Sequence, residues 1–317
     1  MTKEKKTRVA VACQGGGSHS AFTAGVLREF LKQKEQPFEI AALSGTSGGA
    51  ICAFLAWYGL AKGDRQKAIE LLNAFWYNIS ATDPWDMFFN WSVVWSARLQ
   101  GAVAFPEISP YFFPPLGQER LRDVLEGLVD FDEARRLALT AEHKLLIGAV
   151  DVLSGEFKVF REEEVTVETI LASTALPTLF KAVHVGQGVY WDGLFSRNPP
   201  IRDLCRLRPD EIWVVQINPQ KRHDEPKMVH EIQDRRNELS GNISLNQEIH
   251  FIKTINEFLE KDYLAGSQYK PITIRRIDFT QELDFASKLD RNPSFLKDII
   301  TFGEEKAADF LKGLFSK

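Results

Sequence analysis

Cysteine is scarce in this chain: three thiols, Cys13, Cys52 and Cys205, stand among 317 residues. They are odd in number, sit in apolar strand or helix contexts and show no metal-type spacing, which excludes a disulfide scaffold and a zinc module. They read as small buried hydrophobes in a reducing compartment. Histidine is thin as well, with six. Neither sign of charge dominates: 39 basic against 43 acidic residues leave a net charge of −4. No electrostatic footprint for nucleic acid results. Long apolar runs are missing. The stretch Val9–Cys13 that follows the basic Met1–Arg8 is too short for a signal core, and no segment has the length and apolarity of a transmembrane helix. The cytoplasm is the expected location, and any membrane contact is expected to be peripheral. No internal repeat, low-complexity tract or clear interdomain linker breaks the chain.

What is present is an ordinary globular composition, 44% hydrophobic and 26% charged, long enough to bury a sizeable core. The chain is organised around Gly45-Thr46-Ser47-Gly48-Gly49-Ala50. An apolar run, Phe38–Leu43, precedes it and reads as a buried strand. Ile51–Tyr58 follows and reads as a buried helix. Serine flanked by glycines between strand and helix is the nucleophile-elbow pattern. A strand that turns at once into a helix forces strained geometry on its central residue, and side chains at Gly45, Gly48 and Gly49 would collide. The serine oxygen then stands at a helix N-terminus, where unpaired N–H groups favour developing negative charge. The plainer alternative is a glycine-rich turn capped by Ser47.

One unit earlier, Val9–Cys13 reads as a strand, Gln14-Gly15-Gly16-Gly17-Ser18-His19-Ser20 as a loop, and Ala21–Leu31 as a helix. The βαβα order predicts an α/β fold with a mostly parallel sheet and helices on both faces. The glycine loop has three readings. A dinucleotide site lacks its third glycine, where Ser20 stands, and its acidic residue at the end of the second strand. An oxyanion hole fits better, because consecutive glycines let N–H groups converge with no Cβ in the way. A tight turn and nothing more is the third.

Twelve aromatics fall between Phe75 and Phe113, broken by Pro84, Pro106, Pro110, Pro114 and Pro115 into short pieces. This stretch is either an inserted subdomain with its own small core or an apolar lid that receives lipid or touches a membrane. Further strands are expected at 144–152, 156–160, 182–185, 189–191, 211–217 and 271–277. Helices are expected at 64–78, 117–128, 131–139, 165–173 and 294–315, with a long helical region over 228–264.

A serine needs a base. His223, His230 and His250 follow it in triad order, but each sits in a polar, charged stretch and reads as a surface or helix histidine. Asp192 is the better candidate: it closes a short apolar strand and precedes Gly193, which leaves room for the carboxylate to face a neighbouring loop. By itself an Asp-Gly after a strand is also a common turn.

Together these segments resemble the patatin-like phospholipase family: Gly15-Gly16-Gly17-Ser18-His19, the elbow Gly45-Thr46-Ser47-Gly48-Gly49, and Asp192-Gly193-Leu194 with Asn198-Pro199-Pro200. The hairpin Asp151–Glu156 and the segment Ile170–Pro177 are similar to the family's as well. The resemblance covers residues 7–218, with an aromatic insertion over about 75–116 and a mainly helical extension over 219–317, all within one domain of 1–317. It implies a three-layer α/β/α fold and a Ser-Asp dyad, with Ser47 as nucleophile and Asp192 as base. It also implies an oxyanion hole from the N–H groups of Gly15, Gly16 and Gly17. The reaction implied is hydrolysis of lipid esters (phospholipid, lysophospholipid or neutral lipid) through an acyl-serine, with no metal or cofactor. A non-catalytic lipid- or partner-binding module on the same fold is the alternative. Where the family has a basic residue and glycine after the glycine run, this chain has His19 and Ser20, a group expected to titrate near neutrality and one suited to a helix N-cap. Leu194 stands where the family has glycine or alanine.

Overall fold

The first strand, β1 (Thr7–Cys13), lies at the centre of the five parallel strands of the sheet. Its residues alternate between two apolar layers, as the period of a strand requires. Val9, Val11 and Cys13 face one core cluster, and Ala10 and Ala12 face the other. The computed structural model describes residues 6–33, 37–99, 108–177 and 179–315. The expectations for Met1–Lys5, Phe105 and Pro106 fall outside the described residues.

After β1, a 3-10 turn at Gly17–Ser20 runs straight into α1 (Ala21–Lys32), followed by β2 (Phe38–Gly45) and α2 (Gly48–Ala61). Helix α2 starts three residues earlier than its apolar run suggested, directly after Ser47, and all but its last residue are buried. Next come α3 (Arg65–Ile79), α4 (Pro84–Leu99), α5 (Leu116–Leu128), α6 (Phe131–Ala138), β3 (Lys144–Asp151) and β4 (Phe157–Arg161). The chain continues through α7 (Val167–Thr174), β5 (Val183–Val185), β6 (Gly188–Asp192) and β7 (Glu211–Gln216). It ends with α8 (Val229–Glu260), β8 (Thr273–Asp278) and α9 (Pro293–Phe315).

The sheet order is β5-β6-β3-β2-β1-β7-β8, with β4 beside β3. From β3 to β8 the neighbours are parallel; β4, β6 and β5 add an antiparallel edge. The larger apolar layer joins the sheet to α1, α2, α3, α7 and α9 and holds the fully buried Trp57 and Trp213. The opposite layer is made by Leu245, Ile249 and Ile252 of α8 with Ile201 and Leu204. The fold is therefore α/β with a mostly parallel central sheet flanked by helices. Past residue 218, β8 pairs with β7, and Ile299, Ala307 and Leu311 of α9 enter the main core.

The aromatic stretch departs from expectation in one respect. Pro84 does not break structure; it opens α4, a single helix of 16 residues, because proline suits a first helical turn whose N–H groups lack partners anyway. Among the described residues no helix is long and apolar enough to cross a membrane.

Candidate active site

Parallel neighbours end on the same edge of a sheet, and loops at the carboxyl ends of strands gather there. Register fixes what meets. Cys13 of β1 pairs with Gly45 of β2, so the glycine loop and the elbow leave the sheet side by side. Gly45 pairs with Ile147 of β3, and two residues further on Ala149 pairs with Asp192 of β6. Three distant segments of sequence thus converge above β1, β2 and β3.

Ser47 has φ 57° and ψ −133°, the left-handed region that a non-glycine residue occupies only when its surroundings hold it there. Its backbone N–H donates to both the carbonyl and the Oγ of Ser173, each at 3.1 Å. Ser173 Oγ in turn donates to the Gly148 carbonyl at 2.7 Å. Thr46 Oγ1 donates to the Arg197 carbonyl at 2.7 Å. The elbow glycines are places of close approach. A Cβ would lie 2.4 Å from the Gly49 carbonyl oxygen at Gly45, 2.6 Å from Ser20 Oγ at Gly48, and 2.3 Å from the Cys13 carbonyl oxygen at Gly49.

Asp192 is buried, at 1% exposure. Its Oδ1 accepts the Leu194 N–H at 2.8 Å, and its backbone N–H donates to the Ala175 carbonyl at 3.0 Å. The Ser47 side chain faces this carboxyl and favours its ionised form. Burial pushes the Asp192 carboxyl up to about 7, against Ser47 and the Leu194 N–H, which favour the anion. Leu194 meets the carboxylate through its backbone N–H. A Cβ on Gly241 of α8 would lie 3.2 Å from the Leu194 side chain.

The glycine loop closes onto the elbow. A Cβ on Gly15 would lie 2.6 Å from both Ser47 Cβ and the Thr46 carbonyl oxygen. Gly15 departs from expectation as an oxyanion donor, because its N–H is taken by Asn198 Oδ1 at 2.7 Å. The N–H groups of Gly16 and Gly17 have no partner among the described residues. The same holds for Gly48, the residue after the serine, whose N–H sits in the first turn of α2 where no intrahelical acceptor exists. Gly17 has φ +58°, and a Cβ there would meet the Lys288 carbonyl oxygen at 2.4 Å.

Two expectations about the loop fail, the first through burial and the second because Ser20 has helical backbone angles (φ −67°, ψ −7°) rather than the extended ones of a capping residue. His19 is 3% exposed and its Nε2 lies 2.8 Å from Ser287 Oγ. Ser287 Oγ donates to the Asp284 carbonyl at 2.5 Å, so it accepts from His19 Nε2–H and fixes that tautomer. Burial, with Lys288 nearby and Asp284 opposing, lowers the imidazole to about 3. His19 is a neutral donor, not a group titrating near neutrality. Ser20 precedes α1 but makes no capping bond, and its Oγ is buried without a partner among the described residues.

Sequence reasoning missed the supports. Gln14 Oε1 accepts the N–H groups of Ile217 at 2.9 Å and Asn218 at 2.8 Å. Gln14 Nε2 donates to the Asn198 carbonyl at 3.3 Å and to Asn242 Oδ1, on α8, at 3.2 Å. All these amides are buried. Gln14 and Asn198 flank the motifs and could have been suspected as polar residues in apolar company; Asn242 and Ser287 lie in the extension, where no motif pointed. Of the later histidines, His223 is exposed beside Glu282 at 3.3 Å and His250 is exposed on α8. His230 lies on α8. Among the described residues no three His, Cys, Asp or Glu side chains come together to hold a metal ion.

Comparison with known proteins adds the following. The profile of the family described as patatin-like phospholipase matches residues 11–204. The uncharacterized protein YjjU of Escherichia coli (strain K12) is 49% identical over 43 residues, 14% of this chain and 12% of that protein's length. VipD from Legionella pneumophila superposes with a TM-score of 0.44 at 13% identity, over 97% of this chain and 67% of that one. The type III effector protein ExoU of Pseudomonas aeruginosa gives 0.36 at 14% identity, over 98% of this chain and 53% of that one.

Proposed function

Because the chain belongs to the patatin-like phospholipase family, a family of carboxylic ester hydrolases, we propose that it is a serine acyl hydrolase of lipid esters working through a Ser47–Asp192 dyad. The observation that carries this reading is the strained, buttressed Ser47 whose hydroxyl meets a buried carboxyl rather than an imidazole.

In the first half-reaction Ser47 Oγ attacks the ester carbonyl while its proton passes to the ionised Asp192. The carbonyl oxygen takes the negative charge beside the unpaired N–H groups of Gly16, Gly17 and Gly48, at the positive end of α2. Collapse expels the alcohol, which takes the proton from Asp192 and leaves acyl-Ser47. Water then attacks the acyl carbon, giving its proton to Asp192, and the second collapse returns that proton to Ser47 Oγ and frees the carboxylic acid. The cycle needs no metal or cofactor. Lipid esters (phospholipid, lysophospholipid or neutral lipid) are the substrates in this reading, met at a lipid surface. The whole chain acts as one catalytic unit, since α8 and the segment around Ser287 hold the glycine loop.

A p-nitrophenyl ester series of increasing acyl length tests it. The expected result is turnover by the wild type and none measurable for Ser47→Ala or Asp192→Asn with the fold retained. Turnover that survives both substitutions, or an inert wild type that still binds lipid, would replace this reading with that of a binding module.

A further inference from the structure

Helix α4 is built inside out. Its charged and amide side chains hold it to the protein. Asp86 accepts from the Arg291 guanidinium at 2.5 and 3.1 Å, and Arg98 Nε donates to Asp284 Oδ2 at 2.7 Å. Asn90 is buried, donating to Asp290 Oδ1 at 2.8 Å and accepting the Arg291 N–H at 2.9 Å. Between these bonds Val94 and Ala97 pack on Ala286 and Leu289. The opposite face carries Trp85, Phe88, Phe89, Trp91 and Trp95, which are 82, 61, 63, 56 and 44% exposed. Ser92 and Ser96 fill the gaps, and among the described residues of α4 no ionisable side chain stands between them on this face.

A helix that faces water turns its charges outward and its apolar stripe inward. Here the order is reversed, so the outward rings need a cover. The composition of the face says which. A protein partner makes about one hydrogen bond per 100–200 Å² of interface and surrounds its apolar centre with a polar rim. This face offers rings and two hydroxyls. Tryptophan and phenylalanine are instead the side chains that settle at the boundary of headgroups and acyl chains, where no specific partner is needed.

The same helix is joined to the catalytic loop. The turn Phe285–Leu289 that receives Val94 and Ala97 also supplies Ser287 to His19, and its Lys288 carbonyl lies so close to Gly17 that a Cβ there would meet the oxygen at 2.4 Å. Resting on the lipid-ester reading above, we propose that the outward aromatic face of α4 is the lipid-surface docking element of this chain, linked to the oxyanion loop through the Phe285–Leu289 turn.

Vesicle flotation with Ser47→Ala protein tests docking apart from catalysis, so that failure of the dyad would leave the result standing. Phosphatidylcholine vesicles should carry the Ser47→Ala protein. Adding Phe88→Ser, Phe89→Ser and Trp91→Ser should cut that partition by about tenfold or more, with an unchanged unfolding midpoint because these side chains are exposed. Brominated phosphatidylcholine should quench part of the tryptophan fluorescence of the Ser47→Ala protein, a readout that needs no change to the face and decides the matter if the triple variant fails to fold. Equal flotation of a folded triple variant, absence of both flotation and quenching, or a concentration-dependent dimer that the triple variant abolishes would overturn the proposal, the last by assigning the face to a second copy.

Discussion

The Gly15 N–H donates to Asn198 Oδ1 across 2.7 Å, tying the loop after β1 to the segment that follows Asp192. In the proposed cycle this bond leaves the oxyanion to Gly16 and Gly17 of the loop and makes Gly15 the loop's fixed point. Asn198→Ala should therefore lower kcat by about 10- to 100-fold, the scale of a small misplacement of catalytic groups, with little change in KM. Steady-state kinetics on a soluble ester check it; an unchanged kcat would show that the loop holds its shape without Asn198.

Asp192 should set the pH dependence. As the proposed base it works only when ionised, so kcat/KM should rise with pH through an inflection near 7, where burial places the carboxyl. Stability should move the other way. The folded chain keeps a proton on Asp192 from about pH 4 to about 7 that the unfolded chain has already released. Its contribution is full below the unfolded value of 3.8 and is lost as pH rises through about 7. Asp192→Asn should then melt higher than the wild type at pH 8, by on the order of a few kcal/mol in stability, and nearly level with it at pH 4. Denaturation at the two pH values reads this directly.

His19 should leave its mark on acid stability instead. Its folded value, about 3, lies below the ordinary 6.5, so the unfolded chain binds a proton that the fold refuses. The stability it contributes is complete above pH 6.5 and is lost as pH falls from there towards 3. Since glutamine places an amide N–H near the Nε2 position, His19→Gln should fold. It should also flatten the slope of stability against pH over this window by up to about 1 kcal/mol per pH unit. An unchanged slope would mean that the imidazole is not buried as described.

The strands were legible because their residues alternate between two apolar layers or run apolar through the middle of a parallel sheet. Val9–Cys13, Phe38–Leu43 and Glu211–Ile217 each announce themselves in this way. The elbow and the glycine loop were legible because close approach leaves glycine as the residue that fits. What stayed hidden depends on neighbours far along the chain. Nothing near His19 says that Ser287 will bury it, and nothing near Gly15 says that Asn198 will take its N–H. Nor does the run Pro84–Leu99 reveal its inverted polarity, since Arg291 and Asp284, the partners of Asp86 and Arg98, lie about two hundred residues downstream.

The central claim is that Ser47 is activated by Asp192, and active-site labelling tests it most directly. Protein treated with a fluorophosphonate and mapped by mass spectrometry should carry one adduct, on the peptide containing Ser47. It should be absent from Ser47→Ala and much slower to form in Asp192→Asn. An adduct on another residue, or labelling of Asp192→Asn at the wild-type rate, would contradict the account.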